Sequence, residues 1–288
     1  MTDRPGRVCT VEPGAARDCL LYAYGFIPDG QPLPIAACPA VQGIRHAALV
    51  AVVEELPAAE FSADALATNL SNVEWGAKAA RKHAAVVAEA ARQGTVIPAR
   101  LCTLFTDRDA VVRTLVENRH RLARLIERLR GRREWGVKVF GDDGAVRETV
   151  AATDPEVRRI DAIRGAVSPG QAYVLARKRD AVVTLRALTT MDSAAEQTAN
   201  LLENLGFDLR AKPLHPVREG CVMAANLAVL VDDTRAERFH ATLADLAGRL
   251  GPEGFAIEIS GPWPAYSFCD EGQRDDQPCD TAEAAGAE

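Results

Sequence analysis

The residues able to do chemistry in this chain are scattered. The five histidines, His46, His83, His120, His215 and His240, fall on separate segments, and none has a cysteine or second histidine at metal-ligand spacing. Cys102 lies two residues after Arg100. A nearby cation favours a thiolate nucleophile, although a lone cysteine beside an arginine is more often a small core residue. Glu134 and Lys138 fall on the same side of a strand and would suit an acid and base. Asp142 and Asp143 offer two adjacent carboxylates, but they sit in a Gly-Asp-Asp-Gly sequence, where aspartate is chosen for the backbone of a turn. Nucleophile-elbow, zinc-protease, phosphate-loop and dinucleotide motifs do not occur. The sequence therefore reads as a protein that acts by contact, not an enzyme, with no catalytic residues, metal or cofactor assigned.

Charge and composition narrow the partners. Residues from Asp270 onward carry seven acids and one base, which account for the whole net charge of -6 and leave the preceding chain neutral. A neutral body lacks the concentrated positive field that nucleic-acid binding needs. No leader-like apolar stretch opens the chain, and no run of about 18 apolar residues offers a membrane span. Seven cysteines, odd in number and without a C-x-x-C pair, favour reduced thiols in a cytoplasmic protein.

The elements follow from periodicity and punctuation. Leu20–Phe26 reads as a buried strand closed by Pro28-Asp29-Gly30, and His46–Val53 as a second. Ser62 caps a short helix to Asn69. Ser71 with Glu74 predicts a capping box for a helix to Gln93, stopped by Gly94, with Val73, Ala77, Ala80, Ala84, Val87 and Ala91 as its packing stripe. Thr95–Phe105 is an edge strand broken at Pro98. Thr106 caps a helix to about Arg130, with Val111, Leu115, Leu122, Leu125, Ile126 and Leu129 inward and its arginines outward. Glu134–Phe140 alternates as a half-buried strand.

Asp154-Pro155 starts a further helix, and Ser168 with Gln171 starts a long one to about Asn204. Along it Val174, Ala181, Leu185, Leu188, Ala195, Ala199 and Leu202 mark a packing side of seven-residue period. Gly220–Val231, a helix from Thr234 to Leu250 and Gly254–Ser260 close the chain as β-α-β. The expected architecture is α+β: a flexible N-terminus (1–18), a ferredoxin-like N-terminal domain (19–150), a long-helix segment with a smaller β-α-β C-terminal domain (151–268), and a disordered acidic tail (269–288).

Four segments in order, LLYAYGF from Leu20, TVIPARLCTLF from Thr95, GRREWGVKVF from Gly131 and GPWPAYSF from Gly261, resemble the gas vesicle protein GvpL/GvpF family. Trp75 with His83, and GQAYVLARKR from Gly170, add to the resemblance. It implies a cytoplasmic accessory protein of the gas vesicle, either an assembly factor or a minor vesicle component. The implied partners are the small, strongly hydrophobic shell protein and other accessory proteins. Two surfaces are candidates for that contact. Trp263, Pro264, Tyr266 and Phe268 form an aromatic and proline patch, which would otherwise lock the C-terminus onto the core. Arg100, Trp135 and Lys138 surround the strand broken at Pro98, where a partner strand would add. The rival reading is a ferredoxin-like small-molecule-binding or enzymatic protein.

Overall fold

The computed structural model describes residues 18–216 and 219–269. The expected flexible N-terminus and acidic tail lie outside these, except for residues 18 and 269. The first sheet is built from β1 (Cys19–Pro28), β2 (Gln42–His46) and β3 (Leu49–Pro57). After α1 (Ala58–Phe61), α2 (Ala63–Leu70) and α3 (Val73–Gln93), it is completed by β4 (Ile97–Pro98) and β5 (Leu104–Phe105). The strand order is β2-β3-β1-β4, with β5 also on β1. Pro98 lacks the N–H that a central ladder requires, so the expected broken edge strand is what forms. The single strand expected over 46–53 instead opens with a hairpin. Its reversal is at Ala47, whose φ of 51° is uncommon for alanine, and no glycine or asparagine announces it.

α4 (Arg108–Glu117) and α5 (Arg119–Leu129) follow, then β6 (Arg132–Asp142). The single helix expected over 107–130 is broken at Asn118 and capped by Asp107, whose carboxylate accepts the Ala110 N–H at 2.7 Å. All six of its expected inward residues are buried. β6 is the main correction. It pairs with none of β1–β5 but with strands of the C-terminal half. After it come α6 (Asp143–Thr153), α7 (Pro155–Arg164), α8 (Pro169–Asn204), β7 (Asp208–Ala211), β8 (Cys221–Asp232), α9 (Ala236–Leu250) and β9 (Phe255–Trp263). The Asp142-Asp143 pair starts α6, because Asp142 accepts the Ala145 N–H, and is not a hairpin turn.

The second sheet is antiparallel with order β7-β8-β6-β9. Strands and helices alternate there as β-α-β-β-α-β, with three helices in the first crossover. That is the ferredoxin-like connectivity, so the arrangement expected of residues 19–150 is found in the second half instead.

The two sheets stack through helices. α1–α3 cover one face of the first sheet with Phe61, Val86, Val87 and Ala90. α4 and α5 cover its other face and also meet Ala228 and Leu230 of the second sheet. α6–α9 cover the far face of the second sheet with Val146, Val157, Met191 and Phe239. β8 thus packs on both faces, which explains its unbroken apolar run from Leu227 to Val231.

Candidate functional site

Two places hold the expected site residues, and a third was not foreseen. The first is the loop after Pro98. Cys102 takes a positive φ of 61°, a strained setting for a non-glycine residue. It is held by a chain of hydrogen bonds. The Cys102 N–H donates to the Tyr22 hydroxyl at 3.2 Å, and that hydroxyl donates to His83 Nδ1 at 2.8 Å. The ring's other nitrogen, Nε2, lies 3.1 Å from the Ala99 carbonyl. A carbonyl only accepts, so Nε2 carries the hydrogen and the tautomer is fixed. Burial holds the imidazole below its ordinary range, pushes the Tyr22 phenol up to about 12 and raises the Cys102 thiol.

Beside this chain, the Tyr24 hydroxyl donates to the buried Glu54 carboxylate at 2.5 Å, and Lys82 pairs with its other oxygen at 2.7 Å. Burial first, then the bond to Glu54, lifts the Tyr24 phenol far above its usual range. Each of these polar groups has a structural partner, and Cys102 stays a thiol at neutral pH. The network fixes the loop that presents exposed Arg100 and Leu101.

α3 shows why sequence reasoning missed this. Its inward residues are His83, Val86, Val87 and Ala90, whereas Val73, Ala80 and Ala84 of the expected stripe are exposed. A histidine, polar by type, marks the core face because β1 supplies its partner. The helix is capped by Asn72, whose side chain accepts from Glu74 and Trp75 N–H groups. Ser71 instead donates to carbonyls of α2.

The second place is the C-terminal segment. β9 runs as far as Trp263, and residues 266–268 form a short 3-10 turn. Phe268 is fully buried, with the guanidinium groups of Arg128 and Arg210 5.9 and 5.8 Å from its ring centre. The N–H and hydroxyl of Ser267 donate to the buried Glu134 carboxylate at 2.8 and 2.7 Å. Trp263, 55% exposed, and half-buried Pro264 line a cavity of about 240 Å³ with Leu129, Arg130, Arg132 and Arg133. The Tyr266 ring lies 6.4 Å from that of His83, so this segment touches the first network.

The other expected trio is not assembled. Arg100 sits at the edge of the first sheet, while Trp135 and Lys138 lie on β6, which is paired on both sides. β6 therefore has no open ladder, while the expected place for an added strand, the strand broken at Pro98, is a separate edge of the first sheet formed by β4 and β5. Trp135 packs on His240 and Phe239. Glu134 is engaged with Ser267, not with Lys138 as an acid/base pair.

The third place is the outer side of α8. The helix begins with the predicted capping box and ends at Asn204. Its buried face is Val183, Ala187, Met191, Ala194, Thr198 and Leu202. The expected packing stripe is real in spacing, but its first half points to solvent. Val174 and Leu185 are each 64% exposed, Leu188 is 56% exposed, and Ala181 lies exposed between them. At about 100° per residue these four lie within a narrow arc opposite Val183 and Ala187. α7 flanks the helix and is tied to it by Arg179–Asp161 and Lys178–Glu156 pairs at 2.9 and 3.2 Å. Among the described residues no group of three metal-ligating side chains is found, and no helix is long and apolar enough to cross a membrane.

Comparison with known proteins gives this arrangement its setting. The chain is 31% identical over 243 residues to gas vesicle protein L of Streptomyces sp. (strain CB03234), covering 81% of this chain and 84% of that one. It is 29% identical over 189 residues to gas vesicle protein F of the same strain, covering 65% and 75%. The fold matches the crystal structure of the gas vesicle protein GvpF from Anabaena sp. PCC7120, with a TM-score of 0.64 at 19% identity over 88% of this chain and 99% of that one. GvpF from Microcystis aeruginosa matches with a TM-score of 0.56 at 17% identity and the same coverage. The model of the family described as gas vesicle synthesis protein GvpL/GvpF spans residues 20–270, and the chain belongs to that family.

Proposed function

We propose that this protein is a gas vesicle assembly factor that holds the hydrophobic shell protein before it enters the vesicle wall, using the outward face of α8. The observation that carries the reading is the exposed stripe Val174, Ala181, Leu185 and Leu188 on a helix whose opposite face is buried. A subunit destined for an apolar wall exposes apolar surface until it polymerises. A partner that shields it reversibly needs a modest apolar strip rimmed by charge. Arg177, Lys178 and Asp192, all exposed, supply the rim. Burying each large side chain of the strip contributes roughly 1.5–3 kcal/mol, so the strip as a whole gives reversible binding and not a permanent interface. Trp263, Pro264 and Tyr266 form a secondary contact, and other vesicle accessory proteins share these surfaces. The protein acts in the cytoplasm and on the vesicle, by surface complementarity and without covalent chemistry.

Co-expression with the shell protein tests the reading. The double variant Leu185→Glu, Leu188→Glu is expected to lose shell-protein pull-down while keeping its melting temperature. The pair Trp263→Ala, Tyr266→Ala is expected to weaken pull-down without abolishing it. Undiminished pull-down by the first variant removes α8 as the binding face.

A further inference from the structure

Each sheet ends in strands with one open side, and three of these ends are blunted. β7 has four residues and β4 has two, one of them Pro98. β2 has five residues and carries Arg45, paired with Asp29 at 3.1 Å. β9 is different. It has nine residues, among the described residues pairs with β6 alone, and bears a single charge, Glu258. Its register says which groups the open side presents. The Asp142 N–H donates to the Gly254 carbonyl at 2.9 Å. The pairs that follow are Gly141–Phe255, Phe140–Ala256, Val139–Ile257, Lys138–Glu258 and Val137–Ile259. Hydrogen-bonded pairs alternate along an antiparallel ladder. The main-chain groups of Ala256 and Glu258 therefore face β6, and those of Phe255, Ile257 and Ile259 point outward. Among the described residues no other main-chain group takes them. The Phe255, Ile257 and Ile259 side chains pack on the second core, while Ala256 and Glu258 are exposed on the opposite face.

We infer that β9 pairs antiparallel with β9 of a second copy of this chain, centred on Ile257, and joins the two second sheets into one. The strand is complementary to itself in this register. Ile257 stands opposite its counterpart, and Phe255 of each copy stands opposite Ile259 of the other. All of these residues turn their main-chain groups outward, so the new ladder is fully paired along them. Their side chains lie on the helix-covered face, where apolar cross-strand pairs are favourable. On the exposed face Glu258 of each copy stands opposite Ala256 of the other, so the two carboxylates are not opposed. A centre at Glu258 would set them face to face, which is unfavourable. A centre at Ala256 would place Ile259 beyond Phe255, the first residue of the opposite strand. The inference rests on the second sheet alone and is independent of the α8 surface.

The test is sedimentation velocity of the full chain from micromolar to millimolar concentration, where a monomer–dimer equilibrium is expected. Ala256 is exposed, so a charge placed there acts on the seam and not on the fold. Ala256→Lys meets Glu258 of the other copy and is expected to tighten dimerisation by roughly threefold to tenfold. Ala256→Glu is expected to weaken it by a similar factor. In a Glu258→Lys background the two effects are expected to exchange sign, which follows from this register. Amide hydrogen exchange gives a second readout. The N–H groups of Ile257 and Ile259 are expected to slow as protein concentration rises, while those of Ala256 and Glu258 are slow throughout. A monomer at every concentration, or a dimer indifferent to the charge at position 256, overturns the inference. So does slowing at Ile257 and Ile259 only when the shell protein is added, which gives the edge to a foreign strand.

Discussion

Two regions each do in the fold the opposite of what their sequences suggest. The segment from Trp263 to Phe268 is rich in aromatic residues and proline, the composition expected of a partner surface. Yet Phe268 is sealed beneath two arginines and Ser267 is bound to Glu134, so much of the segment serves its own core. The outer stripe of α8 is plain aliphatic sequence with the period of a packing face, and among the described residues its side chains stay exposed. A partner surface is recognised by what its side chains leave uncommitted, not by their type.

Mutations that separate stability from binding can break that comparison. The largest effect is expected from Phe268→Ala, which empties a fully buried aromatic site and should cost about 3–5 kcal/mol in denaturant unfolding. Glu134→Ala should come next, at about 1–3 kcal/mol, because it leaves the Ser267 N–H and hydroxyl without their acceptor. If either change abolishes shell-protein capture while leaving stability intact, the C-terminal segment is the binding face and the contrast is lost. At the other end, Leu185→Glu with Leu188→Glu should change stability by no more than about 0.5 kcal/mol.

pH gives an intermediate and more local probe. His83 is neutral in the fold, and burial depresses its pKa. The unfolded chain therefore binds a proton that the folded chain refuses once pH drops below the ordinary histidine value of about 6.5. Stability from this group is complete above that pH and is lost as pH falls toward the lower folded pKa. The melting temperature of the protein should decline over this window, and His83→Asn should flatten the decline. An unchanged slope in that variant would assign the acid sensitivity to other groups.

Much of the local structure was legible. The Asp154-Pro155 start, the Ser168 capping box and the Gly94 stop sit where their chemistry predicts. The six apolar residues of α4 and α5 face inward as their spacing requires. What was not legible depends on distant parts of the chain. β6 alternates like any half-buried strand, and its pattern does not say that its neighbours begin at residues 221 and 255. The first half contains enough strands and helices to suggest a ferredoxin-like unit, so that unit was expected one half too early. α8 carries two apolar stripes on opposite sides, and periodicity alone cannot tell which one meets the protein. α3 misled in a complementary way. Its small residues suggested the packing face, but a histidine held by a tyrosine from β1 occupies it.

The buried side chains of α8 begin only at Val183. The 14 residues before it, about 21 Å of helix at 1.5 Å per residue, overhang the second sheet and are braced by α7 through ion pairs. α7 is itself seated in the second core through Val157, and Val182 packs against the same core, so the arm rests on apolar contacts as well as on ion pairs. Concentrated salt is expected to screen the pairs and leave the apolar seat in place.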